Sequence, residues 1–180
     1  VCSGSLDISG ADTKIEVTGD PVPKTENDGA IQDGAAISIV NRAGYKGLGT
    51  ITVTEGTFKA KSGNDAVKAY NWENKTASNF TASDKVAISG GSYSTVVPAD
   101  LCAEGFVPVT TPNASGLYEV KAVEGDAELL NADGSRVKYG NLEDLLKEAA
   151  KQTSYTVKLI KDAALEDVKI RNTVTLDLNG

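Results

Sequence analysis

Short stretches of alternating apolar and polar residues recur along the first half of the chain. The stretch VAISGGSY at residues 86–93 repeats ITVTEGTF, which lies 35 residues earlier at 51–58, so that Gly91 matches Gly56 and Tyr93 matches Phe58. A second pattern links AISIVN at 36–41 with AVKAYN at 66–71, at a spacing of 30 residues. Fainter copies lie at residues 15–18 for the first pattern and at 5–8 for the second.

Self-similarity at a period of about 20–50 residues is typical of solenoids, propellers and arrays. The spacing predicts short strands at residues 6–9, 14–18, 36–41, 49–54, 66–71 and 86–89. Two or three strands per repeat predict an all-β chain that forms a right-handed parallel β-helix, a solenoid, with one helix and a few strands at its C-terminal end. Asn41 and Asn71 share a repeat position, which predicts an asparagine stack at a coil corner.

The pattern changes after residue 94. Prolines at 98, 108 and 112 break the strands, and residues 117–120 form one closing strand. Residues 122–140 read as a linker and hairpin that turns at Asp133-Gly134, a better interpretation than a fragment of a calcium loop. Asn141 then predicts the N-cap of a helix over 142–152, with Asp144 completing a capping box, followed by strands at 155–160, 168–170 and 173–178.

Composition and charge exclude several classes of partner and of site. The net charge of −7 argues against binding to nucleic acid or to anionic membranes. The chain has no histidine, which removes histidine-based triads, metal sites and proton shuttles. Cys2 and Cys102 predict two isolated buried thiols, with one long-range disulfide as the alternative. No membrane-spanning run or leader occurs in these residues, and an anchor elsewhere stays open.

Two segments resemble a known family. Residues 86–121 resemble the closing segment of surface proteins of gut and oral bacteria, through Gly90, Gly91, Tyr93, Ala103, Glu104, Gly105, Phe106, Gly116, Tyr118 and Val120. Residues 137–180 resemble the opening segment of the same pectate-lyase-like right-handed β-helix repeats, through Tyr139, Leu142, Val157, Leu159, Asp162, Thr175, Leu176, Asp177, Leu178, Asn179 and Gly180.

The resemblance implies a domain organisation. Residues 1–121 would be the last coils and cap of one module, 122–140 the linker and hairpin, and 141–180 the opening helix and first coil of the next. It also implies a bacterial cell-surface location, outside the cell. Unpaired sheet edges in such a segment predict edge-to-edge self-association.

Catalysis is not expected. A pectate-lyase-like enzyme needs clustered carboxylates for Ca²⁺ and an arginine or lysine base. Acidic residues are scattered here, at Asp7, Asp12, Glu16, Asp20 and Asp65. We therefore predict no enzyme activity, no catalytic residue, no metal and no cofactor, and a fragment of a polysaccharide lyase or hydrolase is the least favoured alternative.

Three aromatic residues are the candidate ligand-binding residues: Tyr45, Tyr70 and Trp72 lie in or beside predicted loops. An exposed aromatic ring can stack on the apolar face of a sugar; the alternative is that Trp72 packs under the loop 71–85. The leading function is a non-catalytic extracellular module, a structural stalk or adhesin repeat, and the alternative is a carbohydrate-binding module that uses these aromatics. The expected partner is a glycan or a host surface protein.

Overall fold

A computed structural model describes residues 1–22, 33–42, 45, 47–73, 76–78, 80, 85–152, 154–166, 169–170 and 172–178. Most of the predicted loop at 20–33 and part of the predicted loop at 71–85 lie outside the described residues, as do the predicted strand residue Val168, Asn179 and Gly180. The chain divides into two units, Val1–Ala122 and Val123–Gly180.

The first unit contains eleven of the described strands and one 3-10 turn, at Ala99–Leu101. The strands are β1 (Gly4–Ile8), β2 (Lys14–Glu16), β3 (Ile37–Arg42), β4 (Leu48–Val53), β5 (Thr57–Lys59), β6 (Val67–Glu73), β7 (Thr76–Ser78), β8 (Val86–Ile88), β9 (Ser92–Tyr93), β10 (Phe106–Pro108) and β11 (Tyr118–Ala122). They form three sheets, in the orders β1-β4-β8, β10-β11-β9-β5-β2 and β3-β6-β7.

The prediction of a right-handed parallel β-helix is wrong. The described strands form small parallel and mixed sheets of three to five strands, and no solenoid or closed sheet is found among the described residues. Antiparallel strands interrupt the parallel pairs, because β7 pairs antiparallel with β6, and β11 pairs antiparallel with both β9 and β10. The sequence repeats therefore correspond to only a few strand pairs. The spacing of two clear copies was not sufficient evidence for a continuous β-helix.

The two clear repeats nevertheless predicted strand pairing correctly. Ile51 pairs with Val86 in parallel β4 and β8, and Ile37 pairs with Val67 in parallel β3 and β6. The predicted asparagine pair is also present, with Asn41 Nδ2 donating to Asn71 Oδ1 at 2.8 Å. Matching side chains thus stand beside each other on neighbouring strands.

The fainter copies were aligned wrongly. Leu6, expected to match residue 37, pairs instead with Ile51 of β4, and Ile15, expected to match Ile51, pairs with Phe58 of β5. The first sheet pairs residues 45 positions apart here, between Ile8 and Val53, instead of the 31 expected for residues 5–8. The intervening segments differ in length, so a constant offset matched the wrong strands.

The core of the first unit is centred on the repeated aromatic position. Phe58 and Tyr93 are fully buried, and their rings stack with centroids 5.0 Å apart and planes at 19°. The Tyr93 hydroxyl donates to the carbonyl of Gly90 at 2.7 Å, and burial raises the pKa of Tyr93 well above its usual range. Gly91 has φ +94°, and a Cβ there would lie 2.9 Å from the Tyr93 hydroxyl. The glycine therefore leaves room for the aromatic stack as well as making the turn.

The second unit is a four-stranded sheet with a helix on one face. Its strands are β12 (Ala127–Leu130), β13 (Arg136–Gly140), β14 (Thr156–Leu159) and β15 (Thr175–Asp177), in the order β13-β12-β14-β15. The predicted hairpin is confirmed, because β12 and β13 are antiparallel and Gly134 has φ +81° in the turn between them. No strand is formed at 169–170, the described part of the predicted strand 168–170.

The helix α1 (Leu142–Ala149) begins where expected but is capped differently. Asn141 makes no side-chain cap hydrogen bond, and the Asp126 carboxylate instead accepts from the Leu142 amide. Leu142, Leu145 and Leu146 are buried against the sheet. An acidic residue 16 positions upstream thus takes the role that the capping box assigned to Asn141.

Both cysteines lie in the described part of the chain. Cys2 and Cys102 form no disulfide there, and each is half-buried where full burial was expected.

Candidate functional site

The pair β3–β6 has one face in the core and one face outside it. Ile37 and Ile39 are buried in the core of the first unit, so the alternate residues Ser38, Val40 and Arg42 point to the opposite face. Their parallel partners on β6 are Lys68, Tyr70 and Trp72, in that order. Val40 is only 1% exposed, so the middle of this outer face is covered and its accessible groups lie towards the strand ends.

The three candidate aromatic residues lie on this face or beside its end. The Arg42 guanidinium lies over the Tyr45 ring, 5.4 Å from its centroid, and Arg42 is the register partner of Trp72. Tyr70 precedes Trp72 by two residues and shares its face. We call Arg42, Tyr45, Tyr70 and Trp72 the aromatic corner. Tyr45 is 46% exposed, whereas Trp72 and Tyr70 are half-buried, so the corner combines one open ring with two partly covered ones.

Tyr70 is held in place by Asp33. Its hydroxyl donates to Asp33 Oδ2 at 2.9 Å, and the Ser38 hydroxyl donates to the same oxygen at 2.7 Å. The Ala35 amide donates to the other carboxylate oxygen at 3.0 Å. Burial, and then the hydrogen bond to Asp33, raise the pKa of Tyr70 to about 12. The ring therefore has a fixed orientation and stays neutral at physiological pH.

Asp33 was not identified from the sequence. It stands 37 residues from Tyr70, at the border of a predicted loop, and no local pattern links the two. The Lys68 ammonium also donates to the Asp33 backbone carbonyl at 3.1 Å. The residue thus connects the segment before β3 to β6, and its carboxylate is already engaged by three donors.

A cleft of about 290 Å³ lies beside Asp33. It is lined by Val17, Gly19, Asp20, Asp33, Gly34, Ala35 and Ser38. Asp20 in this cleft forms a salt bridge with Lys61, at 3.1 Å. The volume is at the lower limit of ligand pockets, which measure about 300–1,000 Å³. We therefore regard the cleft as an extension of the outer face and not as an enclosed binding chamber.

The acidic residues of the first unit that the sequence analysis named are scattered in the structure as well. No group of three His, Cys, Asp or Glu residues within metal-binding reach occurs there. Asp7 accepts from the Thr52 hydroxyl at 2.8 Å on the exposed face of the first sheet. Thus Asp7 and Asp20, two of the scattered carboxylates, each have a partner of their own.

The second unit contains a buried carboxylate that the sequence did not indicate. The Glu128 side chain is 5% exposed, and its Oε2 lies 2.6 Å from Arg136 Nε, with Lys158 Nζ 3.7 Å from Oε1. The Arg136 guanidinium also lies over the Tyr139 ring, 4.4 Å from its centroid. Two cations compensate the buried charge, which is the arrangement of a structural ion cluster.

Comparison of the chain with protein-family models, with curated proteins and with solved structures gave no match in any of the three. Among the described residues, no helix is long and apolar enough to cross a lipid bilayer.

Proposed function

We propose that the chain is a non-catalytic adhesive module of a bacterial cell-surface protein, and that it binds carbohydrate at the aromatic corner. The observation that supports this is the position of Arg42 at one end of the β3–β6 face, over the Tyr45 ring and opposite Trp72 in the strand register. An aromatic ring offers a flat apolar surface to the C–H groups of a sugar. A guanidinium supplies several hydrogen-bond donors in a fixed plane, which suits hydroxyl and carboxylate oxygens.

The fixed orientation of Tyr70 supports the same proposal. Binding costs less when the contact groups are already ordered, because fewer side-chain rotations are lost. Tyr70 is oriented by Asp33, and Arg42 is restrained by its contact with the Tyr45 ring. A partly exposed surface with pre-oriented side chains fits a chain of sugar rings better than a small enclosed metabolite.

The non-catalytic part of the proposal has its own support. The absence of histidine removes the commonest general base. The Asp33 carboxylate accepts three hydrogen bonds and holds Tyr70. A structural stalk without a ligand is the competing function, and the experiment below separates the two. The cell-surface location rests on the resemblance of residues 86–121 and 137–180 to segments of bacterial surface proteins.

The test is a glycan-array screen of the full chain, followed by titration of each bound glycan with tryptophan fluorescence as the readout. Trp72 is the only tryptophan, so its emission reports directly on the corner. Tyr45→Ala is the main variant because the residue is 46% exposed and its removal leaves the core intact. Tyr118→Ala, in the sheet β10-β11-β9-β5-β2, is the control for a lost tyrosine away from the corner.

We expect a glycan that changes the emission of Trp72 and whose affinity falls about three- to tenfold in Tyr45→Ala, from an aromatic contact of about 0.5–1.5 kcal/mol. Tyr118→Ala should bind as the unmodified chain does. A blank array, or a glycan that Tyr45→Ala binds with unchanged affinity, would refute carbohydrate binding at the corner and favour the stalk.

A further inference from the structure

The two arginines that the structure describes differ in their partners. Arg136 in the second unit lies 2.6 Å from the Glu128 carboxylate, so its charge is balanced within the chain. Arg42, at the end of β3, is half-buried, and among the described residues its guanidinium contacts the Tyr45 ring but forms no ion pair. A half-buried guanidinium has lost part of its hydration, which an anionic acceptor can replace.

The contact with Tyr45 leaves hydrogen-bond donors of Arg42 available. The ring lies on one side of the guanidinium, 5.4 Å from its centroid, and holds it through the charge. The five N–H donors of a guanidinium radiate within its own plane. Two of them bind the paired oxygens of a carboxylate or a similar oxyanion through parallel hydrogen bonds. Arg42 can therefore contact Tyr45 and an oxyanion at the same time.

The carboxylate that lies along this outer face does not serve Arg42. Asp33 accepts from the hydroxyls of Ser38 and Tyr70 and from the Ala35 amide. The chain has 25 acidic residues against 18 basic ones, so the lack of an acidic partner for Arg42 is not due to a shortage of carboxylates. The net charge of −7 repels dense polyanions, and a ligand that Arg42 attracts should carry few charges.

We propose that the aromatic corner selects an acidic sugar, whose carboxylate or sulfate group is bound by Arg42 within an otherwise neutral glycan. This inference rests on the proposed function and adds the chemical class of the sugar. In this arrangement the sugar ring lies against the exposed Tyr45 ring, and the acidic group reaches the guanidinium above it. Carboxylate and sulfate offer the guanidinium the same kind of oxygen pair, and the probes below distinguish them.

The test is calorimetric titration of the full chain with three disaccharides that differ in a single group. The outer ring is glucose, glucuronate, or glucose sulfated at its primary hydroxyl, and the inner ring is the same glucose. The readout is the ratio of the acidic to the neutral affinity. We expect the unmodified chain to bind one of the acidic disaccharides at least about tenfold more tightly than the neutral one.

Three variants assign this ratio to the guanidinium. Arg42→Gln keeps an amide donor without the charge and should remove the preference. Arg42→Lys keeps the charge without the planar donor fork, and an intermediate ratio is expected. Lys14→Gln removes one positive charge from an exposed residue of β2, in a different sheet, and should leave the ratio unchanged. Circular dichroism of each variant checks that the fold is retained.

The outcomes separate the choice of sugar from carbohydrate binding itself. Equal affinity for acidic and neutral disaccharides, with both weakened in Tyr45→Ala, would overturn the preference and leave binding at the corner standing. A preference that persists in Arg42→Gln, or that Lys14→Gln reduces as much, would overturn the assignment to Arg42. Failure of all three disaccharides to bind would also overturn the preference, whereas the glycan array with Tyr45→Ala decides the proposed function.

Discussion

A substitution in the stacked pair of Phe58 and Tyr93 is the strongest test of how the first unit is stabilised. Both side chains are fully buried, and their rings lie 5.0 Å apart at 19°. Phe58→Ala removes the ring from this stack and leaves a cavity that the neighbouring strands fill only in part. Substitutions of this type cost about 3–5 kcal/mol. We expect about 4 kcal/mol here, a large share of the roughly 5–15 kcal/mol by which a domain is stable.

Urea unfolding followed by Trp72 fluorescence measures this loss of stability in the first unit. The single tryptophan lies on β6, so its signal follows the first unit and not the second. Tyr45→Ala is the control, because an exposed position should change the free energy of unfolding by less than about 0.5 kcal/mol. A loss under about 1 kcal/mol for Phe58→Ala, with an unchanged denaturant slope, would refute the claim that the stack stabilises the core.

Three further outcomes test individual contacts. Gly91→Ala should lower the stability of the first unit by about 1–3 kcal/mol in the same urea assay, because φ +94° and the nearby tyrosine hydroxyl both oppose a Cβ. Asp126→Ala should weaken hydrogen-exchange protection in α1 by about 1 kcal/mol, because its carboxylate accepts from the Leu142 amide. Asn141→Ala should have little effect. The reverse result would show that Asn141, and not Asp126, caps the helix. Difference absorbance against Tyr70→Phe should place the pKa of Tyr70 near 12, and Asp33→Ala should lower it. Because the folded pKa of Tyr70 lies above the ordinary 10.0, its contribution to stability is complete below pH 10 and is lost as pH rises towards 12.

Sequence reasoning worked where a strand and its copy carry the same residue types at the same spacing. The pairs Ile37–Val67 and Ile51–Val86 follow directly from the matched stretches. The match of Phe58 with Tyr93 predicted two aromatic residues in register, and the structure stacks them. Such pairs are visible in the sequence because neighbouring parallel strands place equivalent residues side by side.

The architecture could not be obtained in the same way. A repeat shows which strands pair, but it does not show whether the next strand pairs parallel or antiparallel. Tyr118 pairs antiparallel with Tyr93, and Phe106 pairs antiparallel with Ala122, and neither pair repeats an earlier pattern. The pairing of Leu6 with Ile51 was missed because the insert between strands differs in length from the later ones.

The candidate site was partly visible. Tyr45, Tyr70 and Trp72 were selected because they lie beside loops; in the structure Tyr45 lies under the Arg42 guanidinium, Trp72 is the register partner of Arg42, and Tyr70 is the register partner of Val40. Asp33 and Asp126 were missed, because each acts on a residue far along the chain and the contact exists only after the sheets have formed. Polar contacts between distant residues leave no periodic trace in a single sequence.

The aromatic residues of the first unit divide into two groups, and this division separates stability from binding. Phe58 and Tyr93 lie inside the core, where they are fully buried and each occupies the same position of a repeat. Tyr45 and Trp72 lie at the strand ends outside that core, beside a guanidinium. Removal of an inner ring should therefore destabilise the unit whether or not a ligand exists. Removal of the exposed Tyr45 ring should leave the fold intact and change only what the surface can hold, so a loss of glycan binding there would be a measure of recognition itself.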